Sequence, residues 1–408
     1  MDTGELSERL RGLEGMEAVL AALDGLPPAY LVGGATRDLL RGAHTVDFDI
    51  CMEGDAVAAA GVLAARLGGE AVVHERFGTA TVRARGLSLD LARTRREAYE
   101  RPGSLPVVEP AGLREDLGRR DFTVNAMATA LAADELGRVH DPHGGRHDLE
   151  AGVIRVLHPR SFLDDPTRLL RAVRYETRLA AAMDEETDAR AREAVAGGAL
   201  ATLSGPRVRD ALLDLLAEEE APRAVARLAE LGLDRALHPA LRGDDALAAG
   251  AALGSVETGA DRALSALAAL LVDALDELVP WLEELGLARP ARERVVRAAR
   301  SAPGLALALR SERTASELHA LMSREPPETL AVALALGAPA EPILRFLSDL
   351  RGIRLEVTGA ELLEAGVAPS PAVGRALEET LRRKLDGEVA GREEELRVAL
   401  ELAGGMRR

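Results

Sequence analysis

In Leu31-Val32-Gly33-Gly34-Ala35-Thr36-Arg37-Asp38, two glycines stand between a short apolar run and a stretch of helical character. Paired glycines let backbone approach a ligand closely, and a helix start offers free N–H groups to phosphate. A few residues on, Asp47-Phe48-Asp49 reads as strand. Side chains alternate along a strand, so Asp47 and Asp49 share one face and Phe48 takes the other. Two carboxylates on one face can hold a divalent ion. Mg2+ suits them, because carboxylate and phosphate oxygens are its ligands and the motif carries no soft donor. A lone Asp-x-Asp is most often a solvated strand edge and a lone Gly-Gly a plain turn. Together they describe a nucleoside-triphosphate site. Asp90, in the strand-like Leu87-Ser88-Leu89-Asp90-Leu91-Ala92, reads equally as a third carboxylate beside the pair or as an exposed strand residue.

The elements that must position these residues follow from spacing. Apolar positions at helical period over residues 5–24 predict a lead helix, assigned to residues 1–26 and ending before Pro27-Pro28. Short strand-like runs at 30–32, 45–51, 71–74, 79–83 and 87–91 alternate with helical stretches at 35–40 and 56–67, which predicts a small α/β head over residues 27–150. A Pro/Gly-containing loop is expected over 101–112 and a further helix around Phe122 to Leu131. From about Ser161 the Leu/Ala/Arg/Glu pattern is helical, so an all-α neck (151–240) and body and tail (241–408) are expected to follow.

Composition narrows the function classes. The 408 residues are 47% hydrophobic and 29% charged, ordinary globular values, while aromatics at 2% leave Leu, Ala and Val to fill the core. No apolar run approaches the ~18 residues of a membrane span. The first twenty residues carry Asp2, Glu5, Glu8, Glu14 and Glu17, the reverse of a basic leader, and the expectation is a cytoplasmic protein without a membrane or obligate protein partner. Cys51 is the single cysteine, which excludes internal disulfides and cysteine-rich zinc sites. The net charge of −16 is a poor overall match to a polyanion, yet residues 81–120 and 155–178 are each net +3 and are candidate phosphate-facing surfaces.

Five ordered stretches resemble the class II tRNA nucleotidyltransferase and bacterial poly(A) polymerase family. They are Leu31 to Gly42, Asp47-Phe48-Asp49, Arg119-Arg120-Asp121-Phe122-Thr123-Val124-Asn125-Ala126-Met127-Ala128, Asp141 to Leu149, and Asp164-Asp165-Pro166-Thr167-Arg168 continuing to Tyr175. Leu203 to Arg209 looks like the family's adjoining RNA-binding segment. The resemblance implies a head that binds CTP and ATP and helical domains that bind the acceptor end of tRNA. Asp47 and Asp49 would then hold two Mg2+ ions, with Asp90 as the catalytic candidate beside them. Gly33, Gly34, Arg37, Arg120, Asp121, Asn125, Arg171 and Arg174 would meet the nucleotide, Arg120 on phosphate and Asp121 on ribose hydroxyls. Asp164, Asp165 and Arg168 resemble a template made of protein. There Asp165 accepts from an exocyclic amine and Arg168, three residues on along one helix face, donates to ring nitrogen or carbonyl, a pattern cytosine and adenine share. The family often has Glu where this chain has Asp164.

His140, Asp141, His143, His147 and Asp148 have spacings that invite zinc, but Pro142 and Gly144-Gly145 break any common helix face, and the stretch is expected instead to close the head against the neck. The leading expectation is addition of the tRNA 3′-terminal CCA, or part of it. Addition of the terminal A alone and poly(A) synthesis are alternatives within the same chemistry. A catalytically inactive RNA-binding protein is the alternative from another class.

Overall fold

The computed structural model describes residues 2–43, 47–74, 78–241 and 245–405. Two compact units form, Met1–Ala211 with Leu231–Ala236, and Leu212–Glu230 with Leu237–Arg408.

The first unit opens with α1 (Thr3–Gly12) and α2 (Met16–Leu23) rather than one lead helix. Gly15 makes the break. It holds φ +76, and a Cβ there would lie 2.5 Å from Leu87 Cδ1, so chain direction and close packing both require glycine. Next come β1 (Ala29–Val32), α3 (Gly34–Arg41), β2 (Asp47–Met52), α4 (Ala56–Leu67), β3 (Glu70–His74), β4 (Thr79–Ala84) and β5 (Leu87–Arg93). Asp55 caps α4 by accepting from the Val57 and Ala58 N–H groups, and Ala56, Ala59, Ala60, Leu63, Ala64 and Leu67 form its buried stripe.

A hairpin of β6 (Arg95–Ala98) and β7 (Val107–Pro110) follows, so the stretch expected to be all loop closes with a strand. After α5 (Leu113–Gly118), residues 122–131 also depart from expectation. Thr123–Asn125 is a single 3-10 turn, and β8 (Ala128–Ala130) is a buried strand paired with β1. A short, nearly all-apolar run carries no periodicity that separates buried strand from helix.

With β9 (Val139–His140), the sheet order is β3-β4-β5-β2-β1-β8-β9, and β2–β5 is its parallel pair. Phe48, Ile50, Met52, Leu89 and Leu91 face the main core under α1, α2 and α4. The opposite face holds a smaller core of Tyr30, Val32, Cys51, Leu113, Leu117, Ala128 and Ala130. Alternation therefore puts Asp49 on the second face with Cys51. Parallel register sets Asp90 directly opposite Asp49.

The unit continues through α6 (Gly145–Ala151), β10 (Val153–Ile154), α7 (Ser161–Asp164), α8 (Thr167–Arg178), β11 (Ala182–Met183), α9 (Glu185–Ala196) and the start of α10 (Gly205–Leu216). The second unit is helical. Within it, Gly250 and Gly254 of helix Asp245–Thr258 let that helix meet Pro327–Ala335 backbone to backbone, since added Cβ atoms would sit 2.8 Å from Ala335 Cα and 2.9 Å from the Ala331 oxygen. The architecture is an α/β head with a mixed sheet followed by helices. No helix among the described residues is long and apolar enough to cross a membrane.

Gly145 ties α6 to the turn that carries Asn125. Its N–H donates to Asp141 Oδ1 at 2.7 Å, and a Cβ would fall 2.0 Å from the Thr123 carbonyl oxygen. Gly145→Ala should therefore lower stability by about 1–3 kcal/mol, read as a lower urea midpoint at unchanged slope.

Candidate active site

One cleft of about 690 Å³ lies over the turn from β1 into α3. Gly33 there has φ 62 and ψ −128, a conformation open only to glycine. A Cβ on Gly33 would stand 3.0 Å from Arg120 Nη1, and one on Gly34 would stand 3.5 Å from Arg37 Nη2. The diglycine turn thus makes room for two guanidinium groups against bare backbone.

Each group is aimed by carboxylates or amides. Arg37, almost wholly buried, gives Nε and Nη2 to Asp38 at 2.9 and 3.1 Å and Nη1 to Asn125 Oδ1 at 2.6 Å, with Cζ 5.3 Å from the Tyr175 ring centre. Asp116 on α5 is fully buried and holds Arg119 Nε at 2.9 Å and Arg120 Nη2 at 3.0 Å. Arg119 also reaches Glu97 Oε1 on β6 at 2.7 Å, and Glu97 Oε2 accepts from the Tyr99 hydroxyl at 3.1 Å. Burial first and Glu97 second push the Tyr99 phenol up to about 12. Arg120 Nε, by contrast, is buried with no hydrogen-bond partner among the described residues. A guanidinium with a donor left over, set with Nη1 against a bare glycine turn, is suited to an anionic ligand.

Asp121 takes the Phe122 N–H at 2.8 Å and the Asn125 amide at 3.0 Å on Oδ1, and Arg171 Nε and Nη2 at 3.0 and 2.5 Å on Oδ2. Burial alone would raise its pKa, but Arg171, Asn125 and the Phe122 N–H outweigh burial and hold the carboxyl below its ordinary range. The partner Arg171 stays charged and lies 5.5 Å from the centre of the Tyr175 ring.

Asp165 and Arg168 both line the cleft, though not as one helix face. The residue before a proline is steered away from helical geometry, and Asp165, at φ −133 and ψ 92, sits between α7 and α8 ahead of Pro166. From there its Oδ1 accepts from Thr167 N at 3.1 Å and Thr167 Oγ1 at 2.6 Å. Arg168, buried in the first turn of α8, gives Nη1 to Ser161 Oγ and Nη2 to the Arg119 carbonyl, both at 2.7 Å.

Of the residues singled out from sequence, Gly33, Gly34, Arg37, Asp49, Arg120, Asp121, Asn125, Asp165, Arg168 and Arg171 line this cleft. Asp164 does not, being paired with Arg160 at 3.2 Å, and Arg174 lies on α8 outside the lining. Asp90 is exposed and accepts from Thr81 Oγ1 at 2.6 Å. The Asp47 side chain lies outside the described residues, although its backbone pairs in β2 opposite Ser88. Asp38, Glu97, Tyr99, Arg119, Tyr175, Arg178 and Arg207 also line it, with the apolar Ala35, Leu105 and Pro106, without having been singled out as site residues. Tyr175 and Arg178 follow Arg168 and Arg171 at helical spacing, and Asp116 precedes Arg119 and Arg120 by three and four, so periodicity could have found these. Cys51 beneath the site is buried, and burial pushes its thiol up to about 12.

The donor chemistry fits a hard divalent cation, since Asp49 is an exposed carboxylate on the cleft wall. A mixed sheet with carboxylates on one strand and an arginine-lined cradle at the next turn is the frame of a nucleotide-transferring head. Residues 29–155 match the poly A polymerase head domain. The chain is 34% identical to the A-adding tRNA nucleotidyltransferase of Geobacter sulfurreducens over 92% of this chain and 45% of that protein. It is also 34% identical to the CC-adding tRNA nucleotidyltransferase of Deinococcus radiodurans over 91% of this chain and 88% of that one. A solved CCA-adding enzyme in complex with ATP matches with TM-score 0.79 at 30% identity, over 98% of this chain and 97% of that one. The Thermotoga maritima CCA-adding enzyme complexed with tRNA matches with TM-score 0.75 at 30% identity, over 100% and 99%. The chain belongs to the tRNA nucleotidyltransferase family. It spans 45%, 49% and 21% of the length of three A-adding relatives it matches.

The low Asp121 pKa has a consequence for acid stability. The stabilisation it brings is complete above the unfolded value of ~3.9 and is lost as pH falls through the lower folded value. Asp121→Asn should cost about 1–3 kcal/mol at pH 7, by removing the partner of the half-exposed Arg171, and should flatten the acid limb of stability against pH in denaturant titrations from pH 6 to 2.

Proposed function

We propose that this chain extends the 3′ end of tRNA, adding all or part of CCA from CTP and ATP without a nucleic-acid template. The reading rests on one observation above all: the Arg120 guanidinium, with Nη1 against Gly33 and its buried Nε unpaired among the described residues, shares one cleft with Asp49. It draws support from relatives named as A-adding and CC-adding tRNA nucleotidyltransferases and from CCA-adding enzyme structures with CTP, ATP or tRNA.

In this reading Asp47 and Asp49 hold Mg2+, which when bound would supply charge neutralisation at the triphosphate and make the RNA 3′-hydroxyl more acidic. Arg120, with Arg119 beside it, takes the phosphates. Gly33 and Gly34 let backbone come close to them. Asp121 and Asn125, fixed by Arg171 and Arg37, face the ribose, and Arg174 further along α8 adds positive charge. Asp90 is the third carboxylate of the sheet face and Asp164 steadies the turn before Asp165. Asp165 accepts from the exocyclic amine of cytosine or adenine and Arg168 donates to the ring edge. The RNA 3′-oxygen then forms a bond to the α-phosphorus as the bond to the bridging oxygen of pyrophosphate breaks. A cytoplasmic location goes with these substrates.

Addition of the terminal A alone is the second reading. It is favoured by the 46% and 43% identity of two A-adding relatives over the parts they match. Purified protein given tRNA ending in the discriminator base, in C, or in CC, with each triphosphate singly, separates the two, since incorporation confined to the CC end selects A addition. Asp49→Ala should abolish incorporation, a loss of at least about 1000-fold, while tRNA binding in gel shift survives. Undiminished incorporation would remove the carboxylate assignment.

A further inference from the structure

Arg207, the third residue of α10, sits far in sequence from every motif that carries the site, yet its guanidinium ends in the cleft. Its two terminal nitrogens go to two different segments. Nη2 donates to Asp165 Oδ1 at 2.7 Å, and Nη1 donates to the Gly103 carbonyl at 2.6 Å. Gly103 is at the tip of the β6–β7 connection and is itself docked beside the same place. Its N–H donates to the carbonyls of Leu163 and Asp164 at 3.2 and 3.3 Å, and a Cβ on it would lie 2.1 Å from Thr202 Oγ1. The hairpin tip is thus fastened just before Asp165 on one side and just before Arg207 on the other.

This geometry leaves Asp165 little freedom. Oδ1 receives three donors, Thr167 N, Thr167 Oγ1 and Arg207 Nη2, and no donor among the described residues reaches Oδ2. The Thr167 bonds come from the residue's own helix start and fix where the carboxylate sits. The Arg207 bond comes from a separate element and fixes how the carboxylate plane is turned. We infer that Arg207 is a positioning residue for nucleotide choice, which locks Asp165 so that its second oxygen is presented to the exocyclic amine of the incoming base. This rests on the nucleotidyltransferase reading and adds to it a residue outside the base-edge pair. Lys replaces the fork only in part, because an ammonium can meet Asp165 but lacks the planar pair of donors that spans Gly103 and Asp165 together.

The test compares wild type with Arg207→Ala, Arg207→Lys, Asp165→Ala and the Arg207→Ala/Asp165→Ala double variant. It reads kcat/KM for CTP, ATP, UTP and GTP on tRNA ends and, in parallel, equilibrium binding of the same four triphosphates. Arg207→Ala should lower discrimination against UTP and GTP by about 10-fold or more, and Arg207→Lys should recover part of it. The double variant should discriminate no worse than Asp165→Ala alone, because Arg207 acts through that carboxylate. Unchanged discrimination in Arg207→Ala, or losses that add in full in the double variant, overturn the inference. An α10 that merely braces the hairpin would lower the melting temperature of Arg207→Ala and slow all four triphosphates alike, which also overturns it. If wild type extends no tRNA but binds the triphosphates selectively, and Arg207→Ala loses that selectivity, the transferase reading fails while the tie to Asp165 stands.

Discussion

Seven arginines and five carboxylates meet around one cleft, and pairing between them is the condition for the rest. A guanidinium taken out of water without a partner costs several kcal/mol, and like charges brought within a few ångströms repel. The chain meets this by placing an acid behind most of the bases: Asp38 behind Arg37, Asp116 behind Arg119 and Arg120, Asp121 behind Arg171, and Asp165 behind Arg207. Such pairs add modestly to stability, since desolvation offsets most of the attraction. What they provide is direction. Each guanidinium has one edge committed to the protein, and at Arg120 the buried Nε is left over.

The sheet sets the other half of the arrangement. In an all-antiparallel meander β2 would lie between β1 and β3. Here β1 flanks it on one side, while the crossover through α4, β3 and β4 returns β5 to lie parallel on the other. Parallel register then brings Asp90 opposite Asp49 on the face away from the main core. Alternation is what keeps that face polar at Asp49 while Cys51, two residues on, is already under α5. The carboxylates therefore sit where the sheet emerges from its smaller core, next to the turn that opens α3. No flexible loop is needed to bring them there.

Much of this was legible in the sequence, because it depends on local rules. An apolar run, two glycines and a helical stretch specify strand, turn and helix start, and Asp-Phe-Asp specifies a face. The break at Asp165 was missed: the i,i+3 spacing invited one helix face, whereas Pro166 steers the residue before it out of helical geometry. Residues 122–131 were harder, since Ala126 to Leu131 is apolar nearly throughout and only pairing with β1 decides for strand. Glu97, Tyr99 and Arg207 stood in or beside family-like segments but were not assigned to the site. Their places in the cleft depend on a hairpin folding back and on the entry of α10, contacts between residues as much as 104 positions apart. Pattern along the chain says nothing about such closures.

The long-range closures also give physical content to the arginine excess. Fifty of the fifty-one basic residues are Arg, with Lys384 the exception, a bias that composition alone would explain. At the cleft the distinction matters, because several of these side chains hold two partners at once. Arg119 joins Asp116 to Glu97, Arg37 joins Asp38 to Asn125, and Arg207 joins Gly103 to Asp165. An ammonium could satisfy charge at each place but not the two directions. The overall charge of −16 does not oppose this local design. At physiological salt an exposed charge is felt over only about 8 Å, so a phosphate entering the cleft responds to the arginines there and hardly to acidic surface further away. Acid elsewhere on the chain instead weakens loose attachment of polyanions outside the cleft, so that binding of a phosphate-rich ligand is confined to the place where the guanidinium groups have been given a direction.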